Sequence, residues 1–106
     1  MYKILIVEDD PVIASSLARQ LTRWNYEATY VQEFDHVMQE FEKAQPDLVL
    51  IDITLPYFSG YYWCAEIRKI SRVPIVFLSS AADEMNQVMA LSMGADDFIA
   101  KPFGME

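Results

Sequence analysis

The chain has 106 residues, 53% of them hydrophobic, and a formal net charge of −8. This length fits a single domain with its own core, and the composition excludes a disordered polar chain. The negative charge argues against direct nucleic-acid binding by this domain, because such binding neutralises phosphates. One cysteine excludes an internal disulfide, and no apolar run approaches the ~18 residues of a membrane span. We therefore expect a cytoplasmic domain.

The first predicted unit is a strand followed by a helix. Ile4 to Val7 is a continuous aliphatic run that ends in three acids and Pro11, a typical first helical residue with Asp10 as its cap. Apolar residues at helical spacing then predict a helix over about residues 11–24, with Ile13, Leu17, Leu21 and Trp24 facing the core. A short, weaker strand is predicted from Ala28 to Val31.

The second helix and the central strand follow. Phe34, Val37, Met38 and Phe41 have helical spacing, and Pro46 ends that helix. His36 lies off the apolar stripe, as is typical of a solvated side chain. Residues 48–51 form an aliphatic run typical of a strand covered on both faces, and the run ends at Asp52.

The remaining segments continue the alternation. Gly60 precedes a third helix with Trp63, Ile67 and Ile70 inward, and Cys64 is predicted to pack in it. The aromatic residues between 57 and 63 are more typical of core and loop packing than of a ligand cage. Residues 74–78 form a third apolar run before Ser79. A fourth helix is predicted to begin at Asp83, with Gly94 just past its end. A last strand, 98–100, ends at Lys101.

This order predicts a doubly wound α/β domain with a five-stranded parallel sheet and helices on both faces. No fifth helix follows the last strand within the chain. We therefore expect residues 1–106 to be one domain that is truncated at its C-terminus and lacks any output domain.

Polar side chains follow four of the predicted strands. Because parallel strands finish at one edge of a sheet, Glu8, Asp9, Asp52, Ser79 and Lys101 should meet there. Three carboxylates at close range repel one another, and a hard cation with oxygen ligands relieves this, which predicts a Mg²⁺ site. Asp52 could then act as a carboxylate nucleophile toward phosphorus. Lys101 would neutralise the phosphoryl oxygens, and Ser79 would donate a hydrogen bond to one of them.

The chain resembles the receiver domains of bacterial two-component response regulators over nearly its whole length. The matching segments, in the family's order and spacing, are residues 4–10, residues 48–52, Leu55-Pro56 with Gly60, residues 73–79 and residues 94–103. The resemblance implies a flavodoxin-like fold with strand order 2-1-3-4-5. The subgroup that it most resembles carries winged-helix transcriptional output domains.

The resemblance also implies roles for individual residues. Asp52 is expected to be the phosphoacceptor for a sensor histidine kinase, and Asp9, Asp52 and the Thr54 backbone carbonyl to bind Mg²⁺, with Glu8 joining through water. Lys101 is expected to contact the phosphoryl group. Ser79 and Phe98 are expected to be the switch pair, which would change the face made by the fourth helix and the fifth strand. Relatives with winged-helix output domains dimerise through their fourth helix, fifth strand and fifth helix, using acids that match Asp96 and Asp97. The fifth helix is absent here, so any homodimer is expected through the fourth helix and fifth strand, and DNA would be bound only by an output domain.

Two positions depart from the usual family pattern. Ser59 precedes the loop glycine where Asp is common, and Phe98 replaces a frequent Tyr, which removes a hydroxyl from the switch position.

Three other interpretations compete with a signalling receiver. A haloacid-dehalogenase-type phosphohydrolase needs a second Asp two residues after its nucleophile, where this chain has Thr54. A flavin-binding flavodoxin needs a phosphate loop after its first strand, where Glu8, Asp9 and Asp10 would repel phosphate. A degenerate receiver, used only as an interaction surface, typically loses an acid or the lysine, and all are retained here.

Overall fold

The computed structural model describes residues 1–79 and 94–100, without the side chains of Ser79, Phe98 and Ala100. Strands and helices alternate along this part of the chain. The strands are β1 Lys3–Val7, β2 Glu27–Tyr30, β3 Leu48–Asp52, β4 Ile75–Ser79 and β5 Asp97–Ala100. The helices are α1 Pro11–Arg23, α2 Val37–Ala44 and α3 Gly60–Arg68. The predicted fourth helix lies outside the described residues.

The five strands form one parallel sheet in the order β2-β1-β3-β4-β5, which confirms the predicted topology. β1 lies between β2 and β3, with Val7 opposite Ile51. β4 pairs with β3 on one side and β5 on the other, and Ser79 lies opposite Ala100. All five strands therefore end at the same edge of the sheet, which we call the carboxyl edge.

Each central strand buries both of its faces, because successive side chains point to opposite sides of a sheet. One core contains the side chains that face α2 and α3, including Leu5, Val49, Ile51, Ile75, Phe77, Phe41, Trp63 and Ile67. The second core contains those that face α1, including Ile4, Ile6, Leu50, Leu78, Leu17 and Leu21. This two-sided burial explains why these strands are continuous apolar runs rather than alternating ones.

Cys64 is fully buried in α3, as predicted. Burial raises the pKa of its thiol, the largest effect on that group, so the side chain stays protonated near neutral pH. Cys64 therefore acts as a small apolar residue of the α2/α3 core. No helix within the described ranges is long and apolar enough to cross a lipid bilayer.

The α1 side of the sheet has an open apolar groove of about 630 Å³ next to that helix. Its walls include Leu17 and Leu21 of α1, Leu50 and Leu78 of the sheet, and Ile99 of β5. The groove differs chemically from the carboxyl edge, because its lining is almost entirely hydrocarbon.

Three residues predicted to lie on inward helix faces do not. Trp24 is 58% exposed because α1 ends at Arg23, and Asn25 then takes a left-handed φ of 70°. Ile70 is 59% exposed because α3 ends at Arg68. Phe34 packs against the α2/α3 core from a loop, because α2 begins only at Val37. Periodicity identified each apolar stripe but not the residue at which the helix begins or ends.

The loop between β3 and α3 folds back against the strand that it leaves. The Gly60 amide donates to the Ile53 carbonyl over 2.8 Å, which closes the loop at its base. A Cβ on Gly60 would collide with the Asp52 carbonyl oxygen and lie 3.0 Å from the carbonyl carbon. Glycine is therefore required here by a close backbone approach, and α3 begins directly against the last residue of β3.

Arg68 connects the end of α3 to the start of β4 and β5. Its Nη1 donates to the Val73 carbonyl (2.7 Å), its Nε to the Gly94 carbonyl (2.9 Å) and its Nη2 to Asp96 Oδ2 (2.9 Å). The same Asp96 oxygen accepts from the Ile75 amide over 2.9 Å. Arg68 is thus the centre of a hydrogen-bond network, 16% exposed, at the edge of the sheet opposite the carboxyl edge.

We expect Arg68→Met to lower the free energy of unfolding by about 1.5–3 kcal/mol, because hydrogen bonds to a charged group are lost. Arg68→Lys should restore only part of this, since one ammonium cannot reproduce the planar fork of donors. Urea unfolding followed by circular dichroism measures both. Equal stability of the lysine and arginine forms would contradict the network.

We expect Gly60→Ala to destabilise the fold by about 3 kcal/mol, because the new methyl group overlaps backbone atoms that cannot move independently. Ser59→Ala is the neighbouring control. It removes only the helix cap, in which Ser59 Oγ accepts from the Tyr62 amide, and should cost about 1 kcal/mol. Alanine otherwise favours helices more than glycine does, so a gain in stability for Gly60→Ala would show that the close approach is absent.

Candidate functional site

Three carboxylates come together at the carboxyl edge. Glu8 and Asp9 follow β1, and Asp52 is the last residue of the adjacent strand β3. Because Val7 lies opposite Ile51, Glu8 and Asp52 are level with each other. One carboxylate oxygen from each of the three lies within 4.8 Å of the others. The predicted convergence of these acids is therefore observed.

The three acids have different environments. Glu8 and Asp52 are only 2% and 6% exposed, whereas Asp9 is exposed. Carboxylates are rarely buried without a partner or a bound cation, since desolvation disfavours their charge. We refer to Glu8, Asp9 and Asp52 as the acidic pocket.

The residues after β1 fix the acidic pocket in position. Asp10 Oδ1 accepts from the Val12 and Ile13 amides over 2.9 and 3.3 Å, which caps α1. The Asp10 amide donates in turn to Glu8 Oε2 over 3.1 Å. One of the three consecutive acids is therefore a helix cap, and it orients the carboxylate of another.

The residues after β3 place Asp52 next to β4. The Ile53 amide donates to the Leu78 carbonyl over 3.2 Å, so the chain leaving Asp52 stays against the neighbouring strand. Thr54 is exposed in the loop that Gly60 closes. The expected metal contact from the Thr54 carbonyl remains a prediction.

The other predicted site residues are placed only by their backbone. Ser79 ends β4 opposite Ala100, and Phe98 lies in β5 opposite Phe77. Lys101 follows β5 and lies outside the described residues. The roles assigned to the Ser79, Phe98 and Lys101 side chains therefore remain predictions.

A second group of possible metal ligands was not predicted from the sequence. Glu33, Asp35 and His36 lie in the loop before α2, and all three are exposed. Asp35 Oδ1 lies 2.9 Å from His36 Nδ1, so these two side chains already pair with each other. Exposed acidic groups are common without a metal, and we favour the buried acidic pocket as the functional site.

Comparison with known proteins agrees with this geometry. The family model for the response regulator receiver domain matches residues 4–106. The chain is 51% identical over 106 residues to the uncharacterized transcriptional regulatory protein YvcP of Bacillus subtilis (strain 168), covering all of this chain and 45% of that protein. It is 48% identical over 103 residues to the sensory transduction protein BceR of Halalkalibacterium halodurans, covering 97% of this chain and 45% of that protein.

A solved structure gives the same result for the fold. The N-terminal domain of the nisin resistance regulator NsrR, described as a lantibiotic response regulator, superposes with a TM-score of 0.89 at 55% identity. The match covers 97% of this chain and 87% of that one. The chain spans about half the length of the curated relatives that it matches. It belongs to the response regulator receiver domain family, the domain of two-component signal transduction.

Proposed function

We propose that Asp52 accepts a phosphoryl group from a sensor histidine kinase and that this modification controls an output, in this case transcription. The observation that carries the proposal is the acidic pocket, with Asp52 buried at the end of the central strand and within 4.8 Å of two further carboxylates. The domain would act in the cytoplasm. It would phosphorylate and dephosphorylate its own aspartate rather than turn over an external substrate.

The proposed transfer is a substitution at phosphorus. An Asp52 carboxylate oxygen forms a bond to phosphorus, the bond from phosphorus to the donor histidine nitrogen breaks, and that nitrogen keeps the electron pair. Asp52 becomes an acyl phosphate. Lys101 and Ser79 are assigned to the phosphoryl oxygens, Lys101 by its charge and Ser79 by a hydrogen bond.

The acidic pocket fits Mg²⁺. Its ligands are carboxylate oxygens, which hard divalent cations prefer, and Glu8 is held in place by the Asp10 amide. We assign Asp9, Asp52 and the Thr54 carbonyl as ligands, with Glu8 binding through water. When bound, Mg²⁺ would neutralise charge on the transferring phosphoryl group.

The proposed output depends on Ser79 and Phe98. Ser79 would move toward the phosphoryl group, and Phe98 would turn into the space that it leaves. A change from 1:99 to 99:1 between two states needs about 5.5 kcal/mol, and two charge-assisted hydrogen bonds of about 1.5–3 kcal/mol each supply much of it. The face made by the fourth predicted helix and β5 would then pair with a second copy, and DNA would be bound only by an output domain.

We expect the wild-type domain to gain the mass of one phosphoryl group when incubated with acetyl phosphate and Mg²⁺, and Asp52→Asn to gain none, because the amide is not a nucleophile toward phosphorus. Intact-protein mass spectrometry measures this. Asp35→Asn is the matched control, since it removes an exposed acid outside the acidic pocket and should be phosphorylated normally. Phosphorylation of Asp52→Asn to the wild-type level would exclude Asp52 as the acceptor.

We expect Glu8→Gln to weaken Mg²⁺ binding about 10- to 100-fold, the usual effect of removing a group that supports the ligand set. Isothermal titration calorimetry measures the affinity, and Glu33→Gln serves as the control in the exposed acidic loop. Chelation with EDTA should also abolish phosphorylation by acetyl phosphate. Unchanged Mg²⁺ affinity in Glu8→Gln would place the cation elsewhere.

A further inference from the structure

The loop after Asp52 contains a strained turn with an aromatic residue at its centre. The Phe58 amide donates to the Pro56 carbonyl over 2.9 Å, which closes a three-residue turn around Tyr57. Tyr57 has a φ of 69° at this position, a conformation that glycine adopts readily and aromatic residues adopt at a cost. Such strain tends to persist where a side chain is needed for function.

The Tyr57 ring is mostly exposed to solvent. It is 73% exposed and takes part in none of the ring contacts found among the described residues. Two neighbours continue the aromatic surface. Phe58 (44% exposed) stacks on Tyr62 (40% exposed) with ring centroids 4.3 Å apart. We call Tyr57, Phe58 and Tyr62 the aromatic patch.

A buried residue supports this patch from below. Trp63 is 5% exposed and contacts Phe58 and Tyr62 edge-to-face, with centroids 5.5 and 4.9 Å away. Phe58 and Tyr62 therefore have a packing role that explains part of their presence. Tyr57 makes no such ring contact among the described residues, and it is the residue that carries the proposal.

The aromatic patch lies beside the acidic pocket. Tyr57 is three residues from Gly60, so their Cα atoms are at most about 11 Å apart, and Gly60 contacts the Asp52 carbonyl. A protein that delivers a phosphoryl group to the buried Asp52 must cover this edge. A standard interface buries about 800 Å² on each partner, a disc of about 16 Å radius, which reaches Tyr57.

We propose that the aromatic patch is a docking surface for the protein that donates the phosphoryl group to Asp52. This rests on the proposed function and adds the surface by which the donor is recognised. The donor would place apolar side chains against Tyr57 and Phe58 and basic side chains toward the acidic pocket. Aromatic residues are frequent anchors of such interfaces because they bury a large area at a small entropic cost.

A comparison of two phosphodonors distinguishes an effect on docking from an effect on phosphoryl transfer itself. Acetyl phosphate needs only the acidic pocket, whereas a histidine kinase needs a protein surface as well. The kinase probe is a purified autophosphorylated kinase fragment, selected from a panel as the fastest donor to the wild-type domain. We expect Tyr57→Gly to reduce kcat/KM about tenfold with this kinase, mainly through KM, and to leave the rate with acetyl phosphate unchanged.

Two further variants make the test specific. Tyr57→Phe keeps the ring and should transfer at the wild-type rate. Ile70→Ala removes another exposed apolar side chain (59% exposed), beyond the far end of α3, and should also behave as wild type. The melting temperature of Tyr57→Gly should be unchanged or higher, because glycine relieves the positive φ.

Three results would overturn the proposal. Tyr57→Gly could accept phosphate from the kinase at the wild-type rate, which would show that the patch is not used. It could be slowed equally with both donors, which would show that the turn positions Asp52 instead. A wild-type domain that takes no phosphoryl group from acetyl phosphate would overturn the proposed function, and the docking surface with it.

Discussion

The side-by-side pairing of β1 and β3 is the constraint on which the site depends. It brings Glu8 and Asp52 to the same level at the carboxyl edge, both nearly buried. Their carboxylate oxygens lie within 4.8 Å of each other, and two like charges at that separation repel by about 3.5 kcal/mol at an effective dielectric constant of 20. Such repulsion does not help the chain to fold, but it is expected of a site that binds a cation and a phosphoryl group.

β1 and β3 also provide much of the packing that offsets this repulsion. Leu5 and Ile51 point to the α2/α3 core, while Ile4, Ile6 and Leu50 point to the α1 core. Each burial of such a side chain contributes about 1.5–3 kcal/mol relative to exposure. The ends of β1 and β3 are thus fixed by packing on both faces of the sheet. This packing holds the acids close together despite their repulsion.

The sequence was informative wherever one local pattern determined the structure. Continuous apolar runs predicted the strands, and the acids directly after them predicted the acidic pocket, because parallel strands share an edge. Helix ends were predicted less well, as Trp24 and Ile70 show, since a stripe repeats every 3.6 residues whether or not the helix continues. Two of the Arg68 acceptors, Gly94 and Asp96, lie 26 and 28 residues away, so no local pattern could reveal them.

The Arg68 network limits how the proposed switch can work. Asp96, directly before β5, accepts from Arg68 and from the Ile75 amide, and its own amide donates to the Ile75 carbonyl over 2.8 Å. β5 is therefore anchored to β4 by the residue directly before its first one. A one-residue slip of β5 would break these bonds and turn Phe98 to the other face of the sheet. The proposed change is thus restricted to the Phe98 rotamer and to the carboxyl end of β5. Because Asp96 is already engaged within the chain, a charge pair between Asp96 and a second copy would have to compete with Arg68.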